Sequence, residues 1–140
     1  MHRFAFRVRY GDTDQMGFAY YGNYLRWFEV GRAEMLRALG RSYREIEREG
    51  VWLPVLAAHC RYLKPAHYDE VLVVETAVLA LGRAQVRFGY RIVLEETAEK
   101  LAYGWTEHCF MGPDGRPRRP PPGLAALLEG APRLNERELA

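Results

Sequence analysis

Tyr10-Gly11-Asp12-Thr13-Asp14-Gln15-Met16-Gly17-Phe18-Ala19-Tyr20-Tyr21-Gly22-Asn23-Tyr24 joins two segments of different hydrophobic periodicity. Before it, Phe4, Phe6, Val8 and Tyr10 alternate with Arg3, Arg7 and Arg9, the period-2 pattern of a half-buried strand over roughly residues 3–10. After it, the pattern predicts a helix from Asn23, a good N-cap, to Leu39, with Gly40 as the C-terminal glycine. The stretch between reads as a carboxylate-bearing turn running into a helix start. Backbone N–H groups are unpaired at such a start, and the helix dipole favours negative charge there.

On a helical wheel Tyr24, Leu25, Trp27, Phe28, Gly31, Met35, Leu36, Ala38 and Leu39 form one broad apolar arc. An arc that wide predicts a helix largely wrapped by protein. Arg32 falls inside it, and a buried guanidinium needs a partner; Asp12 or a set of carbonyls is the expected one. Glu29 and Glu34 are expected to be solvated or to pair with Arg32 and Arg37 at i,i+3 spacing. Residues 41–50 are charged and predict one short helix. From there the pattern is extended, with strands expected at about 53–63, 70–80, 83–94 and 100–111. The fourth strand is the clearest: Ala84, Val86, Phe88, Tyr90, Ile92 and Leu94 alternate with Arg83, Gln85, Arg87, Gly89 and Arg91. A Pro- and Arg-rich tail follows Gly112-Pro113, then a short apolar helix over 124–128. One long apolar helix followed by four strands predicts an α+β fold, an antiparallel sheet of about five strands curled around that helix. Residues 1–140 read as one domain, with its core at about 3–112.

The 140 residues suffice for a real core, and a net charge of +2 is too mild to imply nucleic acid. No apolar run approaches the ~18 residues of a transmembrane helix, and charges at Arg3, Arg7 and Arg9 leave no signal-peptide core. Cys60 and Cys109 lie far apart with no CxxC spacing, so a reduced, cytoplasmic protein is expected. His59-Cys60 and His108-Cys109 are adjacent pairs whose side chains point to opposite faces of a strand. That spacing fits no common zinc pattern, so no metal is expected.

Asp12-x-Asp14-x-x-Gly17-x-x-x-Tyr21-x-Asn23-Tyr24 resembles the acyl-CoA thioesterases of the hotdog fold. The nearest branch is that of 4-hydroxybenzoyl-CoA thioesterase and the bacterial Tol-Pal-associated thioesterases. The helix sequence Phe28-Glu-Val-Gly-Arg-Ala-Glu-Met-Leu-Arg is a second anchor. The resemblance implies hydrolysis of an acyl-CoA to free acid and CoA without a cofactor. It also implies a homo-oligomer, a tetramer built from edge-paired dimers, with the site between subunits.

Thioester hydrolysis needs a base or nucleophile near the carbonyl carbon and donors aimed at the oxygen where charge develops. By the resemblance Asp14 is that carboxylate, and the backbone N–H of Tyr21 polarises the carbonyl. Read without its flanking pattern, an Asp in a turn before a helix commonly caps backbone N–H groups. Asp12 reads as a turn or ion-pair residue. The resemblance also puts Arg83 at the CoA nucleotide, although Gly82 replaces a second basic residue of the family. Lys64 and Arg118 are further candidate phosphate cations, and Gly17 belongs to the same substrate-binding set. Two rival functions remain. One is a non-catalytic acyl-CoA or acyl-carrier-protein binding module of the same fold. The other is a hotdog hydratase, whose His- and Pro-rich signatures are missing.

Overall fold

Residues 1–140 are described by the computed structural model. Strand β1 (His2–Arg7) leads through a single 3-10 turn at Tyr10–Asp12 and a loop into helix α1 (Asn23–Ala38). A short helix α2 (Tyr43–Arg48) follows, then strands β2 (Val55–Tyr62), β3 (Val71–Leu81), β4 (Gln85–Leu94) and β5 (Lys100–Cys109), and helix α3 (Pro122–Glu129). The five strands form one antiparallel sheet in the order β1-β3-β4-β5-β2. The sheet curls about α1, which is the hotdog arrangement.

The first strand is shorter than its alternation suggests. The Asp12 carboxylate accepts the Arg9 N–H at 2.9 Å and bends the chain into the 3-10 turn before Tyr10. Asn23 is the first helical residue rather than the N-cap, a role that falls to Gly22. The Asn23 side chain is drawn away: its Nδ2 donates to the Asp12 carbonyl at 2.8 Å. Gly40 does end the helix as expected, at φ +116°.

Helix α1 lies on the sheet at two close approaches. A Cβ on Gly31 would stand 2.5 Å from Thr76 Oγ1 and 2.6 Å from Val74 Cγ2, so only hydrogen fits there. One turn earlier, Phe28 stacks on Tyr90 at 4.4 Å between ring centroids. Both rings are fully buried in a cluster that also holds Trp27, Met35 and Leu36 from α1. The wrapping is incomplete, because Leu25 is 41% exposed. The tail also goes deeper than its composition suggests. Leu124, Leu128 and Ala131 join the same cluster, and Pro132 and Leu134 bond to Val78 on β3.

Arg32 is buried, but Asp12 is not its partner. Asp12 is taken by Arg26, whose Nη2 donates to Oδ1 at 2.8 Å. Arg32 instead donates to two phenols, Tyr43 (2.7 Å) and Tyr90 (3.4 Å). The Tyr90 hydroxyl lies 2.6 Å from Thr106 Oγ1, which lies 2.8 Å from His108 Nε2, while His108 Nδ1 lies 2.9 Å from the Leu53 carbonyl. A guanidinium only donates and a carbonyl only accepts, so the two ends orient every proton between them. His108 is therefore the neutral tautomer protonated on Nδ1, and both its nitrogens are used. Of the expected i,i+3 pairs, Glu34–Arg37 forms at 3.7 Å; Glu29–Arg32 does not.

Candidate active site

The loop from Thr13 to Ala19 closes on itself. Thr13 and Ala19 bridge, the Asp14 N–H donates to the Phe18 carbonyl at 2.9 Å, and the Gly17 N–H to the Asp14 carbonyl at 3.0 Å. Gly17 sits at φ +82°, where a side chain would be strained; its part here is to turn the chain. Asp14 is half-buried in the neck of this turn. Its Oδ1 accepts the Met16 N–H at 2.9 Å, while Oδ2 has no partner within the chain. The carboxylate is thus not a helix cap, since residues 15–22 separate it from α1. It is a turn-anchored group with one oxygen free.

The chain then runs back alongside the segment before β3. The Ala19 N–H donates to the Ala66 carbonyl at 2.8 Å and the Tyr20 N–H to the Asp12 carbonyl at 2.8 Å. Asn23 and Tyr24 N–H groups close turns onto the carbonyls of Tyr20 and Tyr21. Between these pairs, the N–H groups of Tyr21 and Gly22 find no acceptor. Unspent backbone donors at a helix start suit an oxygen that gains negative charge.

Asp14, Tyr21, Tyr24, Tyr62 and Lys64 line one open cavity of about 400 Å³, otherwise mostly apolar. Three of the expected residues are thus brought together by the fold: Asp14, Tyr21 and Lys64. The Lys64 ammonium pairs with Glu99, an exposed contact of little strength. Arg83 is elsewhere. It lines a separate cavity of about 460 Å³ with Arg119 and Arg133, and makes no ion pair. Arg118 lines neither; its Nε donates to the Arg119 carbonyl at 3.0 Å. Cys60 is half-buried near the tyrosines, and burial pushes its thiol up to about 11, so it stays protonated and unreactive.

Tyr62 is marked by no local pattern, and Tyr24 only by its place in the helix arc and at the end of the quoted motif. Tyr62 ends β2 and its hydroxyl donates to the Tyr21 carbonyl at 2.8 Å; the Tyr24 hydroxyl accepts the Ala66 N–H at 3.3 Å. The Tyr62 ring stands edge-on to both Tyr21 (6.3 Å) and Tyr24 (4.9 Å). Only the pairing of distant segments makes these contacts, so no spacing in the sequence announces them.

YneP of Bacillus subtilis (strain 168) is 44% identical over 85 residues, covering 61% of this chain and 62% of that protein. The aligned part therefore spans less than two thirds of that relative. The 1,4-dihydroxy-2-naphthoyl-CoA hydrolase of Synechococcus elongatus is 30% identical over 86% of this chain and 89% of its own. Among solved structures, the DHNA-CoA thioesterase of Staphylococcus aureus superposes with a TM-score of 0.86 at 32% identity, over 91% of this chain and 87% of that one. Residues 16–100 match the model of the thioesterase superfamily, a span that holds Gly17, Tyr21, Lys64 and Arg83 and begins just after Asp14. That match covers more than half of the sequence, and the chain belongs to the thioesterase superfamily.

Proposed function

We propose that this protein hydrolyses an acyl-CoA thioester to the free acid and CoA, in the manner of the hydroxybenzoyl and Tol-Pal-associated branch. The observation that carries this reading is one cavity lined both by Asp14, a carboxylate with a free oxygen, and by Tyr21, whose backbone N–H is unspent. The carbonyl oxygen of the thioester accepts from Tyr21. Asp14 either takes a proton from a water whose oxygen joins the carbonyl carbon, or attacks that carbon itself to form an anhydride that water then opens to the free acid and the restored carboxylate. The C–S bond breaks in both routes, and the CoA thiolate leaves to take up a proton. The chemistry asks for no cofactor beyond the substrate. Release of free thiol from a panel of aromatic, short-chain and long-chain acyl-CoAs is the direct assay. The relatives named for 1,4-dihydroxy-2-naphthoyl-CoA make aromatic thioesters the first to try. Binding without thiol release from any of them would make the protein an acyl-CoA binding module instead.

Assembly belongs to the same reading. Strand β2 pairs only with β5, leaving its other edge open, and Val55, Leu56 and Leu63 are 52%, 51% and 46% exposed there. A long apolar edge is a template for another strand. A second copy would cover it, and pairs would join as a tetramer. Sedimentation equilibrium at micromolar protein is expected to give four chains; a monomer would overturn this assembly.

Arg83 we assign to a CoA phosphate, on the resemblance and its freedom from any ion pair. Such a contact is made equally in ground and transition states, so Arg83→Ala is expected to raise KM about 10-fold with kcat unchanged. Added salt should weaken the parent more than the variant. An unchanged KM would leave Arg83 as a solvated turn residue.

A further inference from the structure

Resting on the thioesterase reading, we infer that Tyr62 is a positioning residue that fixes the backbone donor at Tyr21 through the Tyr21 carbonyl. A backbone N–H cannot be aimed by its own side chain; it is aimed by the peptide groups on either side. On one side, the Tyr20 carbonyl, in the same peptide plane as the Tyr21 N–H, accepts from Asn23 N–H at 3.0 Å. On the other, the Tyr21 carbonyl accepts from the Tyr62 hydroxyl at 2.8 Å and only weakly from the Tyr24 N–H at 3.3 Å. These bonds pin both torsions of Tyr21. Without the hydroxyl, the second plane would hang on the longer bond alone.

Three further facts suit Tyr62 to this task. It comes from a sheet strand, β2, so a rigid element rather than the loop itself sets the position of the donor. Its ring is held edge-on between Tyr21 and Tyr24. Burial, with Cys60, Tyr24 and Tyr21 nearby, holds its hydroxyl well above the usual phenol range, so it remains a donor at any working pH. Tyr62 is also one of the residues lining the Asp14 cavity. It acts on the carbonyl of a residue whose N–H is the donor, rather than on substrate, and so works at one remove.

Tyr62→Phe isolates the hydroxyl, since the ring contacts remain and Tyr62 is 42% exposed. Water replaces the lost donor, so the melting temperature should move little. Removing an oxyanion donor outright costs ~10²–10³-fold, and here the donor is loosened, not lost. The expected result is a kcat about 10-fold lower, with KM and the shape of the pH–rate profile unchanged. ¹⁵N relaxation should show the Tyr21 amide more mobile in the variant than in the parent. A kcat within 2-fold of the parent overturns the inference. So does a change confined to KM, which would make Tyr62 a binding residue, or loss of the basic limb, which would make it an acid. If the parent itself releases no thiol, the function is wrong; an unchanged Tyr21 amide would then still overturn the positioning role.

Discussion

Asp14→Asn is expected to lower kcat at least ~100-fold while leaving the fold intact, because it removes charge and keeps shape. The amide oxygen of Asn still accepts the Met16 N–H that Asp14 Oδ1 accepts at 2.9 Å, so the tight turn survives. What disappears is the charge and the free oxygen, Oδ2, which we propose acts as nucleophile or base and which no group of the chain occupies. A general base is worth ~10²–10⁴-fold, and a lost covalent route would cost at least as much. Affinity for a non-hydrolysable CoA thioether should be retained. A single turnover in ¹⁸O-water tests the covalent route: label found in Asp14 marks direct attack with the anhydride opened at Asp14, while label only in the acid fits activated water or an anhydride opened at its acyl carbon. Turnover within a few-fold of the parent would reduce Asp14 to what its Met16 bond already makes it, a turn residue.

Local periodicity carried the architecture. The alternation over Val86–Leu94 and the apolar arc of α1 are properties of neighbours a few residues apart, and each element formed where its pattern lies. The ends of elements were harder to read, because they are set by which polar group captures which N–H. Asp12 shows why. Its carboxylate takes Arg9 N–H and Arg26, and its carbonyl takes Tyr20 N–H and Asn23 Nδ2. That single residue shortens β1, displaces Asn23 from the cap and leaves Arg32 to find phenols. The partners of Arg32 do not follow from spacing, since it lies 58 positions from Tyr90. In the candidate site, Asp14 and Tyr21 were marked by the resemblance, and the fold brings both to one cavity. Tyr62 was not marked, because it reaches Tyr21 across 41 positions. Arg83 is the opposite case: it was marked by resemblance, and within one chain the fold keeps it on another cavity.

Acid should expose the one core residue whose ordinary charge does not suit its place. His108 is fully buried, with both ring nitrogens committed, Arg32 at the far end of the same chain of bonds and the Phe88 ring edge-on at 5.4 Å. Burial is the chief cause that depresses its imidazole from 6.5 to about 4, opposed by the Leu53 carbonyl and reinforced by the Arg32 charge. The sign follows from proton counting. Above pH ~6.5 the ring is neutral whether the chain is folded or unfolded, and it contributes nothing. Between pH 6.5 and 4 the unfolded chain takes a proton that the folded chain refuses, so stability falls as pH falls. Below about 4 both states are charged and the loss is complete. A shift of that size corresponds to about 3 kcal/mol, a large part of the margin of a typical domain. Denaturant titrations at pH 7.5 and pH 4.5 are expected to differ by most of that amount. His108→Gln keeps an amide donor for Leu53 and loses the titration, so its difference between the two pH values should be smaller by about 2 kcal/mol. A variant whose stability falls with acid as steeply as the parent's would place the acid sensitivity in the surface carboxylates, not in this buried chain.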